Sequence, residues 1–305
     1  MHRAAYLILL LAAAFWGGNA VAGKLAVGHV SPMLLTALRW GAAAIVLLAF
    51  AGPRLAADWP VIRKHLLFLA VLGAAGFTVF NVALYTALLH TSAINASIEH
   101  AGIPMLIILG NFLIFGLRPG VVQMAGFVLA AAGVVLTASH GELGRLVQLD
   151  INFGDALMLI AVTVYAAYSI ALRFRPVIHW LSLMAVLCAA AFLASIPFTI
   201  AEFAVGGMII PDATGWGVVI YTALFPSVIA QAFYIKSVAL IGANRAGMFI
   251  NLVPIFGALM SVAVLSDDFR AYHGVALLMV LCGIWLSELG GQTAFKAGQR
   301  GPGRA

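Results

Sequence analysis

The 305-residue chain is 64% hydrophobic and only 9% charged, with a formal net charge of +6. A water-soluble domain carries about 25% charged residues, so this composition cannot cover a soluble surface and calls for a bilayer as solvent. The basic residues sit in short loops, where they report orientation rather than nucleic-acid binding. The two cysteines, Cys188 and Cys282, lie in apolar stretches and imply neither a disulfide framework nor a metal site.

Ten apolar segments follow one another: Ala4–Val21, Pro32–Ala51, His65–Leu88, Ala93–Phe115, Val121–Ser139, Gly154–Leu172, Leu181–Ala201, Trp216–Ala239, Arg245–Leu265 and Tyr272–Leu289. Each is close to the ~20 residues a spanning helix needs. Helices are the default because the bilayer core offers the backbone no water, and no segment alternates as a membrane strand would. The predicted fold is an all-α integral membrane protein with ten transmembrane helices. Ala20-Val21-Ala22 could be a signal-peptidase site, but without the first helix the two halves no longer match five to five. The longest connection, His140 to Phe153, joins the halves. The domains are therefore 1–140, the first five-helix repeat, and 151–290, the second. Residues 291–305 form a Gly-rich basic tail, expected to be disordered and cytoplasmic.

An internal duplication organises the whole. The stretch from Ala93 to Pro104 returns from Ala243 to Pro254, with an offset of 150 at Ala93/Ala243, Ala96/Ala246 and Pro104/Pro254. The offset persists at Leu109/Leu259, Gly133/Gly283 and Leu136/Leu286. With a cytoplasmic amino terminus, Arg3, Arg54, Arg63, Lys64, Arg118, Arg173, Arg175, Arg245, Lys296, Arg300 and Arg304 fall inside, against Lys24, Arg145 and Arg270 outside. That bias places both termini in the cytoplasm. Five helices per repeat is an odd number, so the second repeat enters from the opposite side. Inverted repeats of this kind recur in secondary transporters, with the substrate site near the midplane.

Glu99 is the sharpest site candidate: an ionisable group inside a spanning segment, with Asn95 one turn earlier on the same face. It could contact a substrate amine or carry a proton. It could equally form a structural ion pair with Arg39, which lies at a similar depth. His100 points about 100° away and is expected to pack against a neighbouring helix, with a proton relay as the alternative. Trp16, Asn19, Asn81, Tyr85, Tyr165, Tyr168, Gln231, Tyr234 and Asn251 are neutral polar or aromatic groups that together suit a cavity for an amphipathic solute. Individually, each could serve only as an interhelical hydrogen bond, worth about 1–2 kcal/mol or less. Pro104 and Pro254 each remove a backbone donor and are expected to kink helices at equivalent places, as a pair of gates or as static shaping. Lys236 is expected to snorkel, and Asp155 to complement a helix amino terminus.

Phe15-Trp16-Gly17-Gly18-Asn19 with Lys24, Pro32 and Arg39 resembles the opening of an EamA-type protein of the drug/metabolite transporter superfamily. The Ala-rich segment before Pro104, Gly133-Val134-Val135-Leu136, Gly154-Asp155-Ala156 and Tyr165-Ala166-Ala167-Tyr168 continue the likeness over nearly the whole chain, although that family often has a tryptophan near Tyr165. Within it the chain looks most like the amino-acid exporters of the YddG group. The resemblance implies two inverted five-helix repeats, helices one, three, four, six, eight and nine around the cavity, and export of small metabolites such as aromatic or other apolar amino acids. It leaves open a multidrug, nucleotide-sugar or sugar-phosphate carrier. An intramembrane enzyme built on Glu99 and His100 is the other class, but the sequence has no HExxH, GxSxG or GxxxxGK[ST] motif to support one. The expected setting is a bacterial inner membrane. The expected partners are a small-molecule substrate and the lipid bilayer, without nucleic acid, metal or cofactor, and a single chain is expected to suffice.

Overall fold

The computed structural model describes residues 2–116, 119–141, 152–242 and 246–299, and all of its regular structure is helical. Arg118, Arg145, Arg245, Arg300 and Arg304, used above for orientation, and the echo residues Ala243 and Asn244 lie outside the described residues. In chain order the helices are α1 (His2–Leu25), α2 (Pro32–Ile62), α3 (Leu66–Gly73), α4 (Phe80–Ala87), α5 (Ala93–His100), α6 (Ile103–Phe115) and α7 (Val121–Ala138), then α8 (Phe153–Ala171), α9 (Trp180–Ala204), α10 (Ala213–Leu224), α11 (Ala230–Ile241), α12 (Val253–Leu265) and α13 (Ala271–Gln299).

Seven stretches among the described residues are helical, long and apolar enough to cross a membrane, and two shorter apolar helices, Phe249–Leu265 and Ala271–Ser287, follow. The stretch Pro32–Ala87 is 56 residues long. Arg39 hydrogen-bonds Tyr85 although they lie 46 residues apart. A straight helix would separate them by about 69 Å at 1.5 Å per residue, so the chain folds back between them. The short 3₁₀ turn Arg63–His65 lies within that return. Large apolar side chains on the outside, including Ile45, Phe50, Leu67 and Leu113, are exposed, as a lipid-facing surface requires.

Local breaks recur at the offset of the duplication. Helices α3 and α4 are joined by a π turn at Ala74–Val79, and α10 and α11 by another at Phe225–Ile229. Helices α6 and α12 begin at Ile103 and Val253, and end in left-handed caps at Gly116 (φ 66°) and Ser266 (φ 55°). A left-handed cap is easy for glycine and costly for most side chains, so its return on a serine marks a shared backbone path. The prolines are not kinks within continuous helices, as expected above. Pro104 and Pro254 sit in the first turn of α6 and α12, where the missing N–H has no helical partner to lose. The breaks precede them, at Ala101-Gly102 and in the 3₁₀ turn Met248–Leu252.

Two further boundaries differ from the sequence expectation. Helix α2 continues past Ala51 through Pro53 and Pro60 to Ile62. Helix α13 continues past Gly290 to Gln299, where disorder was expected; Gln292, Ala294, Lys296 and Ala297 are good helix formers.

Helices α7 and α13 pack through glycine. A Cβ on Gly126 would collide with the carbonyl oxygen of Gly283, and one on Gly283 would lie 2.6 Å from the oxygen of Gly126. One on Gly133 would lie 2.8 Å from the oxygen of Ala276. Rising numbers on α7 meet falling numbers on α13, so the helices are antiparallel. The partners exchange under the 150-residue offset: Gly126 maps to Ala276 and Gly133 to Gly283. This is the self-complementary pattern of a two-fold contact.

One end of the bundle is laced by polar groups. Lys24 Nζ donates to the Leu88 and Thr91 carbonyls, both at 2.8 Å. Glu202 of α9 accepts from Ser31 Oγ at 2.6 Å and from the backbone N–H groups of Met33 and Leu34 at 3.1 and 3.0 Å. That puts a carboxylate on the amino terminus of α2, where free N–H groups and the helix dipole favour an anion. His29 Nδ1 and Asp212 Oδ2 are 2.7 Å apart at the same end.

Candidate functional site

A cavity of about 500 Å³ lies between the halves. Trp16 and Asn19 reach it from α1, Asn81 from α4, Pro104 from α6, Tyr165 from α8, Gln231 from α11, and Asn251 and Pro254 from the segment opening α12. With Tyr234 of α11, nine of the cavity and gate candidates are brought together. The lining also repeats at the 150-residue offset: Asn81/Gln231, His100/Ile250, Ala101/Asn251, Ile103/Val253 and Pro104/Pro254 all face the same space. From the level of Asn19 and Arg39 the cavity runs towards Leu172, away from the end tied by Lys24 and Glu202.

Arg39 is the charged centre of this wall and is only 5% exposed. Its Nε donates to Ser227 Oγ at 2.9 Å. Its Nη1 donates to Asn19 Oδ1 at 2.7 Å, to Asn81 Oδ1 at 2.8 Å and to the Tyr85 hydroxyl. The Trp40 ring lies 4.7 Å beneath the guanidinium carbon, within cation–π range. The local folds explain the convergence. The π turn Ala74–Val79 precedes Asn81, whose Nδ2 is tied to the Phe77 carbonyl at 2.7 Å. The π turn Phe225–Ile229 carries Ser227, whose Oγ donates to the Thr222 carbonyl at 2.8 Å. Trp16 Nε1 satisfies the Pro226 carbonyl at 3.0 Å. Such single-turn π segments commonly reposition side chains at functional sites.

The Arg39–Glu99 ion pair is corrected. Arg39 is occupied by neutral acceptors, and Glu99 is 0% exposed with both carboxyl oxygens buried and without a hydrogen-bond partner among the described residues. Glu99 does not line the cavity; His100 does. Helix α5 presents His100 to the cavity, and α6, beyond the break at Ala101-Gly102, presents Pro104 and Ile107. Tyr85 stands behind Arg39. Tyr168 packs on Phe77 and Tyr165, with ring centroids 5.5 and 5.3 Å apart, outside the lining.

Asn95 joins a separate buried network. The Arg270 N–H donates to His273 Nδ1 at 3.0 Å, so Nε2 carries the proton of the neutral ring and donates to Asn95 Oδ1 at 3.0 Å. Asn95 Nδ2 donates to Thr91 Oγ1 at 3.4 Å, and Thr91 donates to Asp155 Oδ1 at 2.5 Å. His140 Nε2 stands 3.1 Å from Asp155 Oδ2. Asp155 therefore belongs to this network, and its field reaches Glu99. The sequence pointed to the acidic residues but not to Thr91, His140 or His273, which come from loops and helix ends far apart in the chain.

A helical bundle with an apolar exterior and an internal amphipathic cavity fits a membrane transport protein. The chain belongs to the EamA-like transporter family, whose model matches it twice, over residues 3–139 and 152–289. It is 26% identical over 287 residues to Uncharacterized transporter YetK of Bacillus subtilis (strain 168), covering 93% of this chain and 87% of that protein. It is 25% identical over 296 residues to Uncharacterized transporter YyaM of the same organism, covering 93% of each. It is also 25% identical over 296 residues to Uncharacterized inner membrane transporter YicL of Salmonella typhimurium, covering 94% of this chain and 96% of that one. A solved structure described as a crystal structure of a protein shares the fold, with a TM-score of 0.62 and 20% identity over 93% of this chain and 96% of that chain.

Proposed function

We propose that this family member is a secondary carrier that exports small metabolites, foremost amino acids with aromatic or other apolar side chains, by alternating access between two inverted five-helix repeats. The observation that carries the reading is the cavity of about 500 Å³ lined at equivalent positions of both halves. Its aromatic groups, Trp40, Phe77, Phe80 and Tyr165, suit an apolar side chain, and its amides, Asn19, Asn81, Gln231 and Asn251, suit a polar head. The ten-span topology is supported by the fold-back between Arg39 and Tyr85, and the inversion by the antiparallel, self-complementary contact of α7 with α13. Basic residues dominate the loops at the end towards which the cavity runs, which supports an inward-facing state in an inner membrane with cytoplasmic termini. The breaks before Pro104 and Pro254 are the proposed gates, and one chain supplies both halves.

Proton coupling through Glu99 is part of the proposal, motivated by a fully buried carboxyl without hydrogen-bond partners among the described residues, in a spanning helix. If Glu99→Gln transports with the parent's pH dependence, the coupling is wrong. The carrier itself is tested by flux into liposomes holding only the purified protein, with labelled amino acids offered singly and then against unlabelled metabolites. Saturable uptake of intact solute supports a carrier. Recovery of a chemically altered product would point to an enzyme, and flux restricted to cationic drugs or sugar phosphates would discard the amino-acid reading.

A further inference from the structure

We infer that the cavity recognises its solute by an anionic head group, a carboxylate or a similar oxyanion, held on the free edge of Arg39, and that an amino group on the solute is dispensable. The inference rests on the carrier reading and names the chemistry of its site.

Arg39 is a guanidinium at the cavity wall whose protein partners are all uncharged: Asn19, Asn81, Tyr85 and Ser227. Among the described residues the cavity lining contains no aspartate or glutamate. Glu99 and Asp155 are not among the lining residues, and Asp155 faces Thr91 and His140. A charge taken out of water without a counter-charge is costly, so the chain leaves an electrostatic deficit that a bound anion fills. The geometry is consistent with this. Nε and Nη1 are committed to the four neutral partners, which fix the plane of the guanidinium. Nη2 makes no hydrogen bond among the described residues. Its N–H donors belong to a guanidinium that lines the cavity and is only 5% exposed. Arginine in a fixed plane is suited to carboxylate and phosphate. The residue 150 positions later is Ala189, so the charge is single and not repeated by the pseudo-symmetry. Trp40, Phe77 and Phe80 lie beside it for an apolar body. No acidic group among the described lining residues offsets the desolvation of a solute ammonium, which sets this cavity against organic cations.

The test uses the purified full chain in detergent and four probes with one ring in common: phenylalanine, 3-phenylpropanoate, phenyl phosphate and 2-phenylethylamine. Binding is read by calorimetry. The expected result is binding of phenylalanine and 3-phenylpropanoate with comparable affinity and none of the amine. Phenyl phosphate binding in place of the carboxylates would identify the oxyanion as phosphate and keep the role of Arg39. Arg39→Gln should weaken the anions about ten- to a hundredfold, the scale of one charge-assisted hydrogen bond, and Arg39→Lys should recover part of that. Because Arg39→Gln could unfold, the probe ranking on the unaltered protein decides first. Binding of the amine as tightly as the anions, or loss of binding when the amino group alone is removed, overturns the inference while leaving a carrier in place. Binding of none of the four also overturns it, and the flux measurement then judges the carrier reading separately.

Discussion

Arg39 Nε and Ser227 Oγ meet at 2.9 Å across 188 residues of chain, joining α2 of the first half to the π turn of the second. Ser227 in turn donates to the Thr222 carbonyl, so its one hydroxyl accepts from the guanidinium and holds the turn. Ser227→Ala should therefore do two things. It should lower stability by about 1–3 kcal/mol, the cost of leaving a buried donor unpaired, seen as a fall in the midpoint of thermal unfolding in detergent. It should also loosen the guanidinium plane and weaken solute binding. Ser227→Thr, which keeps the hydroxyl, should restore most of both; equal losses in the two variants would assign the effect to packing.

The contact of Gly126 with Gly283 leads to a different test, since it depends on backbone proximity alone. A methyl group at Gly126 would strike the carbonyl of Gly283, and one at Gly133 would meet that of Ala276. Gly126→Ala should push α7 from α13 and reduce the yield of folded protein. Gly217, within α10, has nothing near the position of an added methyl group. Gly217→Ala should be neutral or stabilising by up to about 1 kcal/mol. Size-exclusion profile and unfolding midpoint distinguish the two; a tolerated Gly126→Ala would show that the antiparallel contact is looser than described.

These two relationships show what the sequence could convey. The duplication was legible because equivalent positions kept small residues and prolines at a constant offset, and the apolar segments were legible because lipid imposes length and composition on each. Seven cavity residues, Trp16, Asn19, Asn81, Tyr165, Gln231, Tyr234 and Asn251, followed from the rule that polar groups avoid lipid. The facing of α5 did not. Glu99 attracted attention as the only carboxyl in its segment, yet charge says nothing about azimuth, and the break at Ala101-Gly102 separates the facing of His100 from that of Pro104 and Ile107. The role of Arg39 was hidden for a related reason. A lone arginine and a lone glutamate at one depth suggest a pair, and only the converging geometry of two π turns shows four neutral acceptors closing on the guanidinium instead.

Thr91 joins Asn95 to Asp155, and its hydroxyl is the donor that a buried carboxylate oxygen receives at 2.5 Å. Thr91→Val preserves shape and removes that donor. The expected loss is about 1–3 kcal/mol or somewhat more, because hydrogen bonds to charged groups are stronger and an unmet buried acceptor is penalised. Thr91→Ser should retain most of the stability. The unfolding midpoints of the three proteins check this, and a valine variant as stable as the parent would mean that the network from His273 to Asp155 contributes little.

Asp212 lies outside the spans and offers a pH test. Its side chain receives the Gly215 N–H at 2.8 Å at the start of α10 and faces His29. The Gly215 bond first, and then His29, hold its carboxyl below the ordinary value of 3.8. A carboxyl depressed in the native state adds stability that is complete above its unfolded value and is lost as pH falls through the native value. Asp212→Asn keeps a capping oxygen, since asparagine caps as well as aspartate, and removes only the charge. The midpoint advantage of the parent over Asp212→Asn should therefore be steady from neutrality to about pH 5, then shrink towards about pH 3 as the carboxyl protonates. An advantage that grew on acidification, or stayed level throughout, would show that the charge at this end of the bundle is not what ties α10 to His29.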